Sequence, residues 1–127
     1  MVDGVVLPFW QSGDTAALTN RLAADAVFSS PVADYPGRAQ TAHMLTLIAT
    51  VIERVDRTGH WSSDREELCA FTARVDDHEL QGMVREEYAP DGSLEHVTLY
   101  LRPYRSLRAA MAKMAQRMED SPLPGQS

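Results

Sequence analysis

A chain of 127 residues with 18 acidic and 12 basic side chains has a formal charge of -6, and its basic residues are scattered, so phosphate backbones are repelled and nucleic acid is not expected as a partner. No apolar stretch approaches the roughly 20 residues that span a bilayer, and no basic segment followed by an apolar one and a cleavage site opens the chain, so a soluble cytoplasmic protein with no membrane partner is expected. The single cysteine, Cys69, can form no internal disulfide, which suits a reducing compartment.

The length suits one domain with one core, assigned to residues 1–119, with residues 120–127 expected as a disordered tail rich in proline. Residues 1–11 form a short apolar stretch with helical character, in which Pro8 fits only near a helix start or at a kink. Asp14 is a good N-cap for a helix reaching about residue 24, with Ala17, Leu18 and Leu22 on one face. Strand-like residues 26–29 follow. The joint SSPVADYPGR, residues 29–38, is rigid and polar, because two prolines bracket Asp34 and Tyr35. Residues 38–54 are apolar around more than half of a helix, with Met44, Leu45, Leu47, Ile48, Val51 and Ile52, so this helix should be largely buried.

From about Val55 the period changes to two. Cys69, Phe71, Ala73 and Val75 alternate with polar or small residues, and Asp76, Asp77 and His78 form a compact turn. The next strand, 79–88, puts Leu80, Gly82, Val84 and Glu86 on one face. Residues 89–92, APDG, turn the chain again, and Val97, Leu99 and Leu101 then alternate with His96, Thr98 and Tyr100. Both sheet faces are thus partly apolar, which predicts a homodimer through the sheet. Pro103 opens a last helix over 103–118 with Leu107, Met111, Met114 and Met118 on one stripe. The order of elements predicts an α+β fold, with helices collected on one side of a curled antiparallel sheet.

The segments SGDTAAL (12–18), AADAVFSSPVADYPGR (23–38) and YAPDGSLEHVTLYLRP (88–103) resemble the nuclear transport factor 2-like superfamily, and within it the SnoaL-like proteins, over residues 1 to about 105. The resemblance implies a cone-shaped curved antiparallel sheet wrapped around a long helix, a cystatin-like fold, with residues 103–118 as an extra C-terminal helix. It also implies a pocket inside the cone, with the joint at 29–38 on its rim. The superfamily's ketosteroid isomerases use an aspartate before the proline of that joint, a tyrosine on the first helix and a protonated acid on the penultimate strand. Here those positions hold Ser30 and, by spacing, Val6 and Val84. Isomerisation by that set is therefore excluded.

Within this frame the candidate acid-base residues are Glu86, Asp34, Tyr35 and His60. A carboxylate at Glu86 beside an apolar wall would have its neutral form favoured, which suits general acid or base work; the plain alternative is a solvated glutamate at a strand end. Asp34 and Tyr35 either meet a ligand oxygen or serve turn chemistry and core cover. The candidate ligand-lining residues are Trp10, Phe28, Ser30, Met44, Leu47, Ile48, Phe71, Leu80, Val84, Val97 and Leu99, although such residues equally fill a core. The four histidines, His43, His60, His78 and His96, lack metal-ligand spacing, so no metal or other cofactor is implied. Thioethers adapt to irregular shapes, so the methionine stripe is either a flexible lid or a packing contact. Two functions follow: a SnoaL-like protein binding a hydrophobic small molecule in the cone, or an enzyme (cyclase, isomerase or dehydratase) acting on a polyketide-like or terpenoid-like substrate.

Overall fold

The computed structural model of the protein describes residues 4–124. Two short helices, α1 (Val6–Ser12) and α2 (Thr15–Arg21), lead into β1 (Leu22–Ser29) and the three-residue β2 (Asp34–Pro36). Helix α3 (Arg38–Ala49) follows, then β3 (Glu53–Ser63), β4 (Glu66–Val75), β5 (His78–Tyr88), β6 (Leu94–Arg102) and the terminal helix α4 (Tyr104–Asp120). The strands form one curved sheet ordered β2-β1-β6-β5-β4-β3. Its neighbours are antiparallel except β1 and β6, which run parallel. The two edges, β2 and β3, do not meet, so the sheet curls without closing. This is the α+β fold with a curled sheet expected from the order of elements, and the cone that the resemblance implies, except that the β1–β6 pair is parallel where the expected sheet is antiparallel.

Local chemistry and strand pairing together set the ends of α2 and α3. The Asp14 carboxylate accepts from the Ala17 N–H and caps α2, satisfying a donor the first turn cannot. That helix stops at Arg21 rather than near residue 24, because Leu22 is drawn into the sheet opposite Leu94 of β6. Strand pairing here overrides the helix preference of the two alanines that follow. Helix α3 likewise ends at Ala49 and not at residue 54. Thr50, Val51 and Ile52 are β-branched and poor helix formers, and the Thr50 hydroxyl donates back to the Leu47 carbonyl. Val51 and Ile52 stay buried in the turn that follows.

The sheet's concave face and the helices enclose the core. Phe28, Phe71, Leu18, Leu45, Leu80 and Val84 are almost wholly buried. Trp10 meets Phe71 edge to face, with ring centroids 5.7 Å apart, a favoured aromatic geometry, and its indole N–H donates to the Leu45 carbonyl at 3.0 Å. Thr41, fully buried, donates to the carbonyls of Ala26 and Tyr35 and so ties α3 to β1 and β2. Helix α4 lies against β4, β5, β6 and α3, held at its start by the Ser106 hydroxyl on the Glu79 carbonyl. Of the tail expected at 120–127, Asp120 closes α4 and residues 125–127 lie outside the described residues. Leu123 is buried and the Ser121 carbonyl lies 2.7 Å from His43 Nε2, so an apolar anchor and a hydrogen bond offset the ordering entropy. Among the described residues no helix is long and apolar enough to cross a membrane.

Candidate functional site

Strand alternation turns Glu86 inward with Leu80, Gly82 and Val84. Glu86 is 2 % exposed, yet its carboxyl group is partnered. Oε2 accepts from the backbone N–H groups of Val5 (2.9 Å) and Val6 (2.7 Å), and Oε1 accepts from the Tyr88 hydroxyl (2.9 Å). The acceptor thus pins the start of α1 to β5 across 80 residues of sequence. Burial pushes the Glu86 carboxyl above the ordinary carboxylate range, against the lowering effect of those three donors, and the nearby charge of Glu67 adds to the rise. Burial, and then the Glu86 charge, raise Tyr88 as well, so Tyr88 remains a neutral donor. Gly4 completes the cover. Its φ of +84° is in the left-handed region, and a Cβ there would come 2.7 Å from Glu86 Oε1, so only glycine fits.

His60 joins the same end of the cone through Glu67, its hydrogen-bond partner on β4. In the strand register Glu67 stands opposite Glu86. Two of the four expected acid-base residues are therefore brought to one polar cluster, His60–Glu67 beside Glu86–Tyr88, and the start of α1 closes over it. The other two lie elsewhere. Asp34 is exposed on β2, and Tyr35 pairs with Phe28 across β1 and β2. Glu67 and Tyr88 were not singled out in the sequence. Glu67 has the parity of Cys69, and Tyr88 that of Glu86, so alternation alone carries the signal for both.

A separate cavity of about 210 Å³ lies between α3, the second half of β6 and α4. Met44, Ile48, Val51 and Ile52 wall it from α3 and the turn that follows, Leu99 and Leu101 from β6, and Leu107, Ala110, Met111, Met114, Ala115 and Met118 from α4. Ser30, Pro31, Val32 and Tyr35 border it on the joint after β1. Four of the six methionines of the chain thus face one space. Of the expected lining residues, Ser30, Met44, Ile48 and Leu99 meet there, with Tyr35 from the acid-base set. Trp10, Phe28, Phe71, Leu80, Val84 and Val97 do not; they fill the cone's interior as core, and Leu47 is buried outside that cluster. The open space is thereby displaced from the middle of the cone to its mouth, under α4. Among the described residues no group of three or more His, Cys, Asp or Glu side chains is placed to hold an ion.

The positions matched to the isomerase set are as unreactive in place as in sequence. Val6 and Val84 are buried aliphatic residues. The Ser30 hydroxyl is consumed by its own turn, donating to the Ala33 carbonyl and accepting from the Val32 and Ala33 N–H groups.

Comparison with solved structures sets this geometry in context. A steroid delta-isomerase from Pseudomonas aeruginosa superposes with a TM-score of 0.85 at 28% identity, over 89% of this chain and 85% of that one. A protein with a cystatin-like fold from Silicibacter pomeroyi gives 0.86 at 18% identity, over 92% and 84%. A SnoaL-like protein of unknown function from Burkholderia thailandensis gives 0.64 at 11% identity, over 78% and 90%. The chain shares with these proteins the cystatin-like, nuclear transport factor 2-like fold. No family model matches it, and no curated protein does. The shared fold does not supply the chemistry, because function resides in the site and not in the fold.

Proposed function

We propose that this chain is a SnoaL-like member of the nuclear transport factor 2-like superfamily and binds a small hydrophobic molecule in the cavity beneath α4. The observation that carries the reading is the makeup of that cavity, an almost wholly apolar wall with two polar side chains at its rim, Ser30 and Tyr35, the usual pattern of a small-molecule site. Its volume of about 210 Å³ exceeds the roughly 150 Å³ of an apolar cavity that takes up benzene. It falls short of the roughly 300 Å³ at which pockets for drug-sized ligands begin. The occupant is accordingly of about bicyclic size, and methionine walls adapt to its outline.

The enzymatic alternative has its support in the His60–Glu67 pair beside Glu86 and Tyr88. Glu86 as a general base, however, would have to give up three donors and expel the start of α1 before meeting a substrate. None of these four residues borders the cavity. Proton-transfer chemistry on a hydrophobic substrate is therefore the weaker reading.

We further propose that a second copy of the chain covers the convex face. There Ala70, Met83 and Tyr100 form one cross-strand row, and Trp61 and Leu68 begin the next. Trp61 and Tyr100 are each more than half exposed. Gly59 lets the Trp61 ring fold back onto the strand, since a Cβ there would lie 2.5 Å from it. The Arg85–Glu66 ion pair (2.6 Å) and the contact of His96 Nδ1 with the Glu87 carboxylate (3.3 Å) border the apolar row.

Multiwavelength sedimentation velocity with added naphthalene tests both readings. The expected boundary has twice the 14.1 kDa chain mass and carries one naphthalene per chain. A boundary without naphthalene rejects the ligand reading, and one at a single chain's mass rejects the dimer.

A further inference from the structure

We infer that Met111, Met114 and Met118 form a peroxide-sensitive modification site: oxidation of these thioethers to sulfoxides loosens the second half of α4 from the core, while Met44 across the same cavity is shielded. How α4 is held decides this, whether or not a ligand occupies the cavity. The long apolar side chains that α4 turns to the cavity are Leu107, Met111, Met114 and Met118, so three of the four are thioethers. Leucine would serve such a stripe as well in helix preference and in volume, and it resists oxidation, whereas a thioether sulfur takes up an oxygen atom. Ser106 and Ala110 are the buried residues of α4, both small and both in its first half. Further along, Met114 and Met118 pack against the core, so the apolar hold of the second half depends on methionine.

Exposure grades these sulfurs. Met111 is 41 % exposed, Met114 and Met118 are half-buried, and Met44 on α3 is 3 % exposed. A hydroperoxide in solution therefore meets the α4 methionines before Met44. The sulfur attacks the outer peroxide oxygen, and an S–O bond forms as the O–O bond breaks. The sulfur gives up two electrons, and the departing oxygen takes the proton and leaves as water or an alcohol. The new oxygen is a hydrogen-bond acceptor facing a wall that, outside Ser30 and Tyr35 at its rim, is aliphatic, thioether or proline. A polar group buried without a partner is costly, so the oxidised side chains turn to water and draw the helix with them. The ties that remain there, Lys113 on Asp76 and Arg117 on Thr50, are reached by solvent and hold little.

The test treats the folded chain with hydrogen peroxide, locates the added oxygen by peptide mass spectrometry and follows backbone hydrogen exchange along α4. Met111 is expected to oxidise first, then Met114 and Met118, with Met44 at least about ten-fold slower than Met111. Once the three are oxidised, residues 111–120 should exchange at least about ten-fold faster, and methionine sulfoxide reductases should reverse the change. The variant Met111→Leu/Met114→Leu/Met118→Leu keeps the apolar stripe and, treated alike, should keep its slow exchange in α4. Oxidation of Met44 as fast as Met111, no oxygen on the three α4 methionines, or unchanged exchange after all three carry it would overturn the inference. So would equal acceleration in the leucine variant, because oxidation elsewhere would then be the cause. The order of oxidation and its reversal are read on the wild-type chain and stand without the variant.

Discussion

Replacing Glu86 by leucine is expected to cost about 3 kcal/mol of folding stability, whereas Glu86→Gln should cost less than about 1 kcal/mol. Leucine fills much of the same volume but leaves the Val5 and Val6 N–H groups and the Tyr88 hydroxyl without their acceptor. Buried donors left unpaired carry the full desolvation penalty. Glutamine can keep its oxygen toward Val5 and Val6 while its amide donates to the Tyr88 oxygen, so only the proton of the partly exposed Tyr88 hydroxyl must turn to another acceptor. The charge itself is a burden at this site. Burial raises the carboxyl's pKa in the folded state, so between the unfolded and folded values the native state holds the proton more tightly than the unfolded chain. This group's contribution to stability must then decline as the pH rises from the unfolded carboxylate value up through the raised folded one. Glu86→Gln removes that decline, and the pH dependence of its urea midpoint should be flatter than the wild type's over that window. Equal destabilisation by leucine and glutamine would show instead that the negative charge, not the acceptor, holds α1.

Ending the chain after Pro103 is expected to cost more. Helix α4 covers Ile48, Val51, Leu99 and Leu101 with Leu107, Ala110, Met114 and Met118. It is tied down at three further points: Ser106 on Glu79, Arg117 on Thr50 and Lys113 on Asp76. Uncovering several apolar side chains on each side amounts to roughly 5 kcal/mol, a large part of the 5–15 kcal/mol by which domains are typically stable. The truncated chain should melt at least about 10 °C lower and take up no naphthalene, since one wall of the cavity is gone. If it melted normally and still bound naphthalene, α4 would be an appendage. Loss of the dimer with unchanged uptake per chain would assign the helix to assembly.

Much of this was legible in the residues, and the limits have physical causes. The alternation through Cys69, Phe71, Ala73 and Val75 and the Asp14 cap identify strand and helix because each is a local pattern. Tyr35 and Pro36 make β2 only by pairing with Phe28 and Val27, and three residues leave no period to read. The inward turn of Glu86 follows from strand parity, but its partners at Val5 and Val6 lie across the fold, and nothing near Glu86 in sequence announces them. Trp10, Phe28 and Phe71 read as interior residues, which they are. Whether an interior aromatic lines a space or fills it depends on what stands opposite, and the edge-to-face meeting of Trp10 and Phe71 is a property of two distant segments. The methionine stripe showed that α4 has an apolar face without showing what that face covers.

The binding of a small apolar molecule under α4 is tested most directly by two-dimensional NMR of the chain labelled with ¹³C at its methionine methyls, recorded with and without naphthalene. Met44, Met111, Met114 and Met118 border the cavity, whereas Met83 sits on the convex face in the row of Tyr100 and reports on any binding there. The account predicts ring-current shifts at the cavity methyls, saturating together, with Met83 unmoved. Saturable shifts at Met83 alone, or no saturable shift at Met44 and Met114, would contradict it.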